Sequence, residues 1–600
     1  MIRANAAAVA VLTSVGLHAF AATVFAQTQL HESVIVTGSA EPIPFDTVGR
    51  AVWVLTRAEI ARLPVQSIED LLRFASSVDV RARGSRVQAD FAIRGGSFGQ
   101  TLVLVDGVRM NDAQSGHHNS DIPLTLDDIE RVEVLLGAGS SLFGADAFGG
   151  TVNVITRAPE PGTNAALFAG EHGLAGGRLR TAFGRSRVKL SIAAEAVRSS
   201  GFEVDRDFET IAASTRMFIG PKTRVSFGFT RKDFGANGFY GPSQSRETTD
   251  QALAALGRDV QLASWRATLQ AQYRSHGDHF LYDRHRPGVA ENVHRTHAVT
   301  FLVKGNRTIG ARTRASAGIE AGGDWIGSTN LGDRSFRRAS AFLELQQRVS
   351  ERIILYPGLR YDGYSRFGDA WSPSLAMRVG VRSGLSVRAS AGHAFRVPTF
   401  TELYYQDPNH LARGDLTPER GWSAEAGLDW FPATKTMARA TMFVRRDRDV
   451  IDWTRPSAAE RWRTTNVRRV SGQGLELGVR RMVADTGILD LQYTYLDTDA
   501  NALTGLLSKY VLEFAAHNLV LSGSIRAPLA LDVGPRIAWT RRNDGRSYAT
   551  VAVRASRPFG RVIVVVDAAN LFDRSYQEIV GVAMPGRWIS AGVRVSPSSK

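Results

Sequence analysis

Arg187-Val188-Lys189-Leu190-Ser191-Ile192-Ala193-Ala194-Glu195-Ala196 places Val188, Leu190, Ile192, Ala194 and Ala196 on one register, with Arg187, Lys189, Ser191 and Glu195 between them. Successive side chains of a β-strand point to opposite faces, so this stretch is a strand with one apolar and one polar face. The same grammar recurs down the chain. Val225, Phe227 and Phe229 alternate with Arg224, Ser226 and Gly228; Val299, Phe301 and Val303 repeat it, as do Leu489, Leu491, Tyr493 and Tyr495. Turn residues bound each run. At about 20 residues per strand with its share of turns, some 440 residues of this text make roughly 22 strands, the size of a plugged membrane barrel. Tyr356, Tyr361, Trp422 and Trp430 fall near strand ends, where interfacial aromatic girdles sit. The stretches 235–250, 278–294 and 404–417 are rich in Gly, Pro, Asn, Asp, His and Tyr, and read as long loops.

The bulk properties agree. Mean hydropathy is −0.13 with 44% hydrophobic residues, too low for a helical membrane protein but natural for strands that alternate. The one long apolar run is N-terminal. It follows Arg3, spans residues 6–25, and ends in Val24-Phe25-Ala26, which fits small-x-small cleavage and predicts an exported chain with a signal peptide over 1–26. With no cysteine, disulfides, thiolate catalysis and thiolate metal sites are excluded. The net charge of +15 comes from dispersed arginines (Arg187, Arg224, Arg352, Arg378, Arg480) and not from one basic arm. In an exported chain that pattern fits anionic lipid head groups or an anionic ligand better than nucleic acid.

Residues 32–157 read differently, as a compact α/β unit. Ile60, Leu63, Ile68, Leu71 and Leu72 have helical spacing over 57–74, broken at Pro64. Short strand-like runs follow at 91–94, 102–105, 132–135 and 152–156, separated by Gly95-Gly96, Asp106-Gly107, Gly137-Ala138-Gly139 and Gly149-Gly150.

Two strings in this unit carry a family resemblance. One is Phe91-Ala92-Ile93-Arg94-Gly95-Gly96 with Thr101-Leu102-Val103-Leu104-Val105-Asp106-Gly107-Val108. The other is Asp128-Ile129-Glu130-Arg131-Val132-Glu133-Val134 with Gly137, Ser140-Ser141-Leu142-Phe143-Gly144 and Ala147-Phe148-Gly149-Gly150-Thr151-Val152-Asn153-Val154-Ile155-Thr156. Weaker barrel fragments are Ala394-Phe395-Arg396-Val397-Pro398, Leu416-Thr417-Pro418-Glu419, Asn570-Leu571-Phe572-Asp573 with Tyr576, and Pro585-Gly586-Arg587. Together they resemble the TonB-dependent outer-membrane receptors, and the loop 111–121 resembles those of the vitamin B12 (cobalamin) receptor-like branch. The resemblance implies a transmembrane antiparallel β-barrel of about 22 strands with a mixed α/β plug in its lumen. It divides the chain into signal peptide 1–26, TonB box 32–37, plug 38–157 and barrel 160–600.

The resemblance also implies site residues. Glu32, Ser33, Val34, Ile35, Val36 and Thr37 look like a TonB box, a short extended strand suited to adding to the sheet edge of a periplasmic energy-coupling protein. Arg94 and Arg131 need carboxylate partners if buried between plug and wall, and Glu425 and Glu476 occupy family-like positions for a plug–barrel lock. Ligand candidates fall in the plug loops, Arg83 and Arg86 in one and Asn111, Asp112, His117, His118 and Asn119 in the other; Tyr240, Tyr404 and Tyr405 are candidates for aromatic walls. Adjacent histidines point opposite ways in an extended chain, which favours hydrogen bonding over a shared metal or haem. No cofactor is required. The Asp-rich loops are candidates for calcium, although no stretch has a calcium-loop spacing. The expected function is energy-coupled uptake of a large scarce nutrient, cobalamin first, with ferric siderophore or haem as the alternative. A surface lipoprotein capping the barrel is a further candidate partner.

Other classes fit less well. A passive porin or structural barrel needs neither plug nor coupling segment, and no Gly-x-Ser-x-Gly elbow, HExxH helix or phosphate loop supports an enzyme. The short interval between Ala26 and Glu32 leaves no room for an added signalling domain. The last strand departs from the family pattern, since Val595 stands where such barrels usually end on an aromatic residue.

Overall fold

The computed structural model describes residues 34–595 except 36, 186, 485 and 486. The expected signal peptide and Glu32, Ser33 and Val36 of the expected TonB box lie outside the described residues.

Twenty-two antiparallel strands form a closed barrel, running from Gly162–Gly170 to Trp588–Val595. These first and last strands pair directly, Ala165 with Val595 and Gly170 with Ser590, so the barrel wall has no free edge. Strand Val188–Ser199 shows why the alternation works. Ile192 and Ala194 face outward, while Ser191, Glu195 and Ser199 turn into the lumen and are buried. Leu167, Phe227, Phe301, Ile319 and Met442, each more than half exposed, belong to the outer apolar surface that lipid covers.

The two ends differ. Strands Arg246–Leu262 and Trp265–Leu281 join through residues 263–264, and strands Gly368–Arg382 and Leu385–Arg396 through 383–384. At the other end, 397–418 and 449–469 are long. They carry a helix, Phe400–Tyr404, and with the connection 500–514 build a small sheet in which His410–Leu411, Trp462–Val467, Val450–Arg455 and Leu507–Ser508 lie side by side.

The expected loops 235–250 and 278–294 are shorter than their composition suggests. Strands extend through Arg246–Leu262, Trp265–Leu281 and Glu291–Ile309, leaving only 236–245 and 282–290 outside. Polar residues tolerate the ladder here because they pair across it: Asp250 and Arg295 form an ion pair over Gly277, which has no side chain to separate them. Tyr356 is a second correction. It is fully buried and faces the plug, donating its hydroxyl to the Thr47 carbonyl, whereas Tyr361, Trp422 and Trp430 face outward. The arginines divide similarly: Arg378 and Arg480 lie inside the barrel, paired with Asp429 and with Asp490 and Glu59, so part of the basic excess never meets lipid.

Inside the barrel sits the plug. Its central sheet orders Val52–Thr56, Ile129–Leu136, Gly150–Thr156, Thr101–Val105 and Val108–Arg109; only the pair Thr101–Val105 with Gly150–Thr156 is parallel. Phe91, Ile93, Val103, Val134 and Val154 fill its core. A Cβ on Gly150 would stand 2.5 Å from the Leu135 carbonyl oxygen, so the close strand approach there excludes any larger residue. Two short helices, Arg57–Ile60 and Ile68–Leu72, flank Pro64, and Glu59 caps the first by accepting from the Thr56 backbone at 2.8 Å.

Candidate functional site

Strand Ala89–Ile93 ends at Arg94, which adopts the left-handed backbone conformation with φ 49°. That conformation is costly for a residue with a side chain, and here it turns the guanidinium out of the plug to the wall. Arg94 Nη1 donates to Glu425 Oε2 at 2.7 Å; Nε and Nη2 donate to Glu476 at 2.9 and 2.7 Å. The guanidinium also lies over the Phe443 ring at 4.3 Å. Gly137 leaves the space: a Cβ there would come within 3.1 Å of Arg94 Nη1. Glu425 further accepts from the Ala51 backbone at 2.8 Å.

Arg131 does not join this cluster. Residues two apart on a strand share a face, and Arg131 Nε donates to Glu133 Oε1 at 2.7 Å. Glu133 in turn accepts from the Thr37 backbone and hydroxyl, each at 2.8 Å. The described bond of Arg131 therefore runs toward the N-terminal segment and not to Glu425 or Glu476. That segment pairs Val34–Ile35 with Ile43–Pro44 and buries Ile35. It is then tied to the wall near the short turns, where Glu344 accepts from Ser39, the Ala40 backbone and Arg50.

At the opposite end of the plug, the loop 111–121 is folded by its own side chains. Ser115 accepts from the His117 backbone and starts a short turn, Gly116–His118, that sends the two imidazoles apart. His117 lies 2.8 Å from Asp90 and 3.2 Å from the Tyr510 hydroxyl, and stacks on Phe98 at 4.0 Å. His118 is buried, with Nε2 3.5 Å from Asp278 and its ring 4.6 Å from that of His276.

Residues 204–556 match the family model "TonB dependent receptor-like, beta-barrel", and residues 45–151 match "TonB-dependent Receptor Plug Domain". The chain belongs to the TonB-dependent receptor family. It is 26% identical to a vitamin B12 transporter, BtuB, of Photobacterium profundum over 91% of this chain and 92% of that protein. Among solved structures, the siderophore receptor PirA of Acinetobacter baumannii superimposes with a TM-score of 0.76 at 18% identity, covering 92% of this chain and 98% of that one. The ferric enterobactin receptor PfeA of Pseudomonas aeruginosa gives 0.75 at 17% identity, with 92% and 98% covered. The family is one of outer-membrane transport receptors, not of enzymes.

In this TonB-dependent receptor several expected ligand residues are spent on internal contacts. Asn111 accepts from the Val103 backbone and donates to the Thr101 carbonyl; Asn119 donates to the Phe98 carbonyl; Arg86 bonds Glu195 of the wall. Asp112 is buried against Arg274 and Thr296, each at 2.6 Å. These four are turned inward, because a loop enclosed by the barrel must satisfy its polar groups locally. Arg83 is buried between Asp90 and the Tyr240 ring, while Tyr240 keeps an exposed face. Tyr404 stacks under Arg334 and Arg366; Tyr405 bonds Asp407 and packs on His410.

Sequence reading missed the receptor's loop-end cluster. Trp453 and Trp462 lie on strands Val450–Arg455 and Trp462–Val467, with Arg455 4.2 Å over the Trp462 ring and Lys509 5.1 Å from it. Lys509 Nζ is 2.6 Å from His410 Nε2, and burial holds its ammonium down at about 8. Nothing in the separate segments announces this meeting; the interleaving of Trp with Arg in 453–463 was the available signal.

Proposed function

We propose that this receptor imports a large, scarce nutrient across the outer membrane, with cobalamin as the preferred cargo. The observation that carries the preference is the likeness to a vitamin B12 transporter, which extends through plug and barrel alike. In this reading residues 1–26 direct export, and residues 32–37 pair with a TonB-type protein in the periplasm. The burial of Ile35 and the ties of Thr37, Ser39 and Arg50 near the short turns support that placement, since an extended strand stored at the periplasmic end can be drawn out and added to a partner's sheet. Arg94 with Glu425 and Glu476 then serves as the lock between plug and wall.

A second cargo, an anionic ferric chelate, is favoured by the Arg455, Lys509, Trp453 and Trp462 cluster, whose cations and ring faces suit a flat anionic ligand. Growth of a deletion strain separates the two. Loss of growth on limiting cobalamin, restored by the gene in trans, supports the first reading. Loss confined to ferric siderophores overturns it and supports the second.

A further inference from the structure

Where the plug's apical loop meets the wall, two buried carboxylates face one imidazole. Glu247 and Asp278 come from the neighbouring strands Arg246–Leu262 and Trp265–Leu281, and His118 from the plug. One ligand atom from each lies within 4.8 Å of the other two, and all three residues are buried. Among the described residues no Lys or Arg stands within ion-pair distance of Glu247 or Asp278; the charge-bearing partner at that distance is His118, 3.5 Å from Asp278. The surrounding cations are already engaged: Lys232 with Asp121 at 3.0 Å and Arg274 with Asp112 at 2.6 Å. Asp278 Oδ1 is buried without a hydrogen-bond partner, an arrangement a protein normally avoids.

Glu247 and Asp278 present carboxylate oxygens within 4.8 Å of each other and of His118 in a buried site, and Arg83 and His294 are the further charge-bearing groups that face them, Arg83 being already paired with Asp90. Two donors about 2.1 Å from a tetrahedral ion stand about 3.4 Å apart, close to the His118–Asp278 separation. A mixed imidazole and carboxylate set selects a borderline divalent ion over calcium or magnesium, which favour all-oxygen shells. Gln114 supports the arrangement by donating to Asp278 Oδ2 at 2.6 Å, and the Tyr240 hydroxyl does the same for Glu247 at 2.9 Å. The alternative grouping of His118 with Asp121 and His276 is weaker, because Lys232 already neutralises Asp121.

We propose that His118, Glu247 and Asp278 form a divalent transition-metal site that staples the plug's apical loop to the barrel wall. The site is independent of which nutrient is imported, since its ligands are buried beneath the loops. Bound metal adds a link between plug and wall that must open before the apical loop can move.

Zinc is the probe. The purified receptor in detergent, stripped with chelator and dialysed, is titrated with Zn²⁺ by calorimetry, and bound metal is counted by elemental analysis. One zinc per chain in the wild type, with at least tenfold weaker binding in Glu247→Gln and in Asp278→Asn, is the expected result. Both substitutions keep side-chain shape, and heat-modifiable migration on gels confirms folded barrels. Co²⁺ gives a second readout: visible absorption of low-symmetry coordination in the wild type, lost in His118→Ala. No stoichiometric zinc in the wild type, or binding unchanged in the folded variants, overturns the site.

Discussion

Arg94 and Glu476 meet across the plug–wall boundary through two parallel hydrogen bonds of 2.9 and 2.7 Å. Such a fork-to-fork pair adds geometric specificity to its charge, and Glu425 completes it from the neighbouring part of the wall. Removing one partner of a buried ionic cluster leaves the others uncompensated, at a cost of about 3–5 kcal/mol. Arg94→Ala is expected to loosen the plug and raise the permeability of the outer membrane to large antibiotics. Arg94→Met with Glu425→Gln and Glu476→Gln, which removes the charges together, should leak less. Equal leakage from both variants would show that the ionic cluster is not what holds the plug.

The N-terminal strand makes a different prediction. Val34 and Ile35 are extended and paired with Ile43–Pro44. Proline has no backbone N–H to donate to a sheet. Val34→Pro should therefore abolish energy-dependent uptake while cargo affinity stays within about twofold, because the loops proposed to meet cargo lie at the other end of the plug. Measuring cell accumulation beside equilibrium binding to isolated outer membranes separates the two effects; intact accumulation would remove this segment from coupling.

The barrel was legible because period-two patterning leaves a record in every strand, and 187–196 states it without help from any partner. Arg94 and its two glutamates could be named in advance because each sits in a recognisable string. Arg131 could not be placed the same way. Its string resembles the family's, but its position two residues before Glu133 on one strand gives it a nearer carboxylate. Tyr356 likewise reads as a girdle aromatic until the plug supplies the Thr47 carbonyl 309 residues away in sequence. Ion pairs such as Arg542 with Asp79 are invisible for the same reason, since a polar side chain advertises its need for a partner but not which one. The loop-end sheet was hidden because its four short strands are split among three connections.

Acid should release the plug's apical loop in a defined window. Burial opposes charge on Asp90, but His117 and Arg83 outweigh it and hold the carboxyl at about 2, below its ordinary 3.8. The folded chain binds this proton less readily than the unfolded one. Its contribution, about 2 kcal/mol, is thus complete above about 3.8 and is lost as pH falls through about 2. Calorimetric unfolding of the plug between pH 5 and pH 2 should steepen in this range for the wild type and flatten in Asp90→Asn. An unchanged acid limb in that variant would assign the loss to other carboxylates.

Glu344 governs how firmly the N-terminal segment is stored. One carboxylate accepts from Ser39 at 2.6 Å, the Ala40 backbone at 2.9 Å and Arg50 at 2.8 Å, and it is almost fully buried. Hydrogen bonds to a charged group contribute about 1.5–3 kcal/mol each in net terms, so neutralising it weakens several ties at once. Glu344→Gln retains the shape and one acceptor oxygen but gives up the charge that Arg50 needs. Amide exchange over residues 38–50 is expected to accelerate by at least tenfold, while exchange in the plug strand Thr101–Val105, which Glu344 does not touch, stays unchanged. If stored tension at this carboxylate limits release of the segment, the variant should also reach half-maximal uptake at a lower level of the coupling protein. Faster exchange with an unaltered requirement would mean that the strand is freed early and that a later step, such as opening the Arg94 cluster, sets the rate.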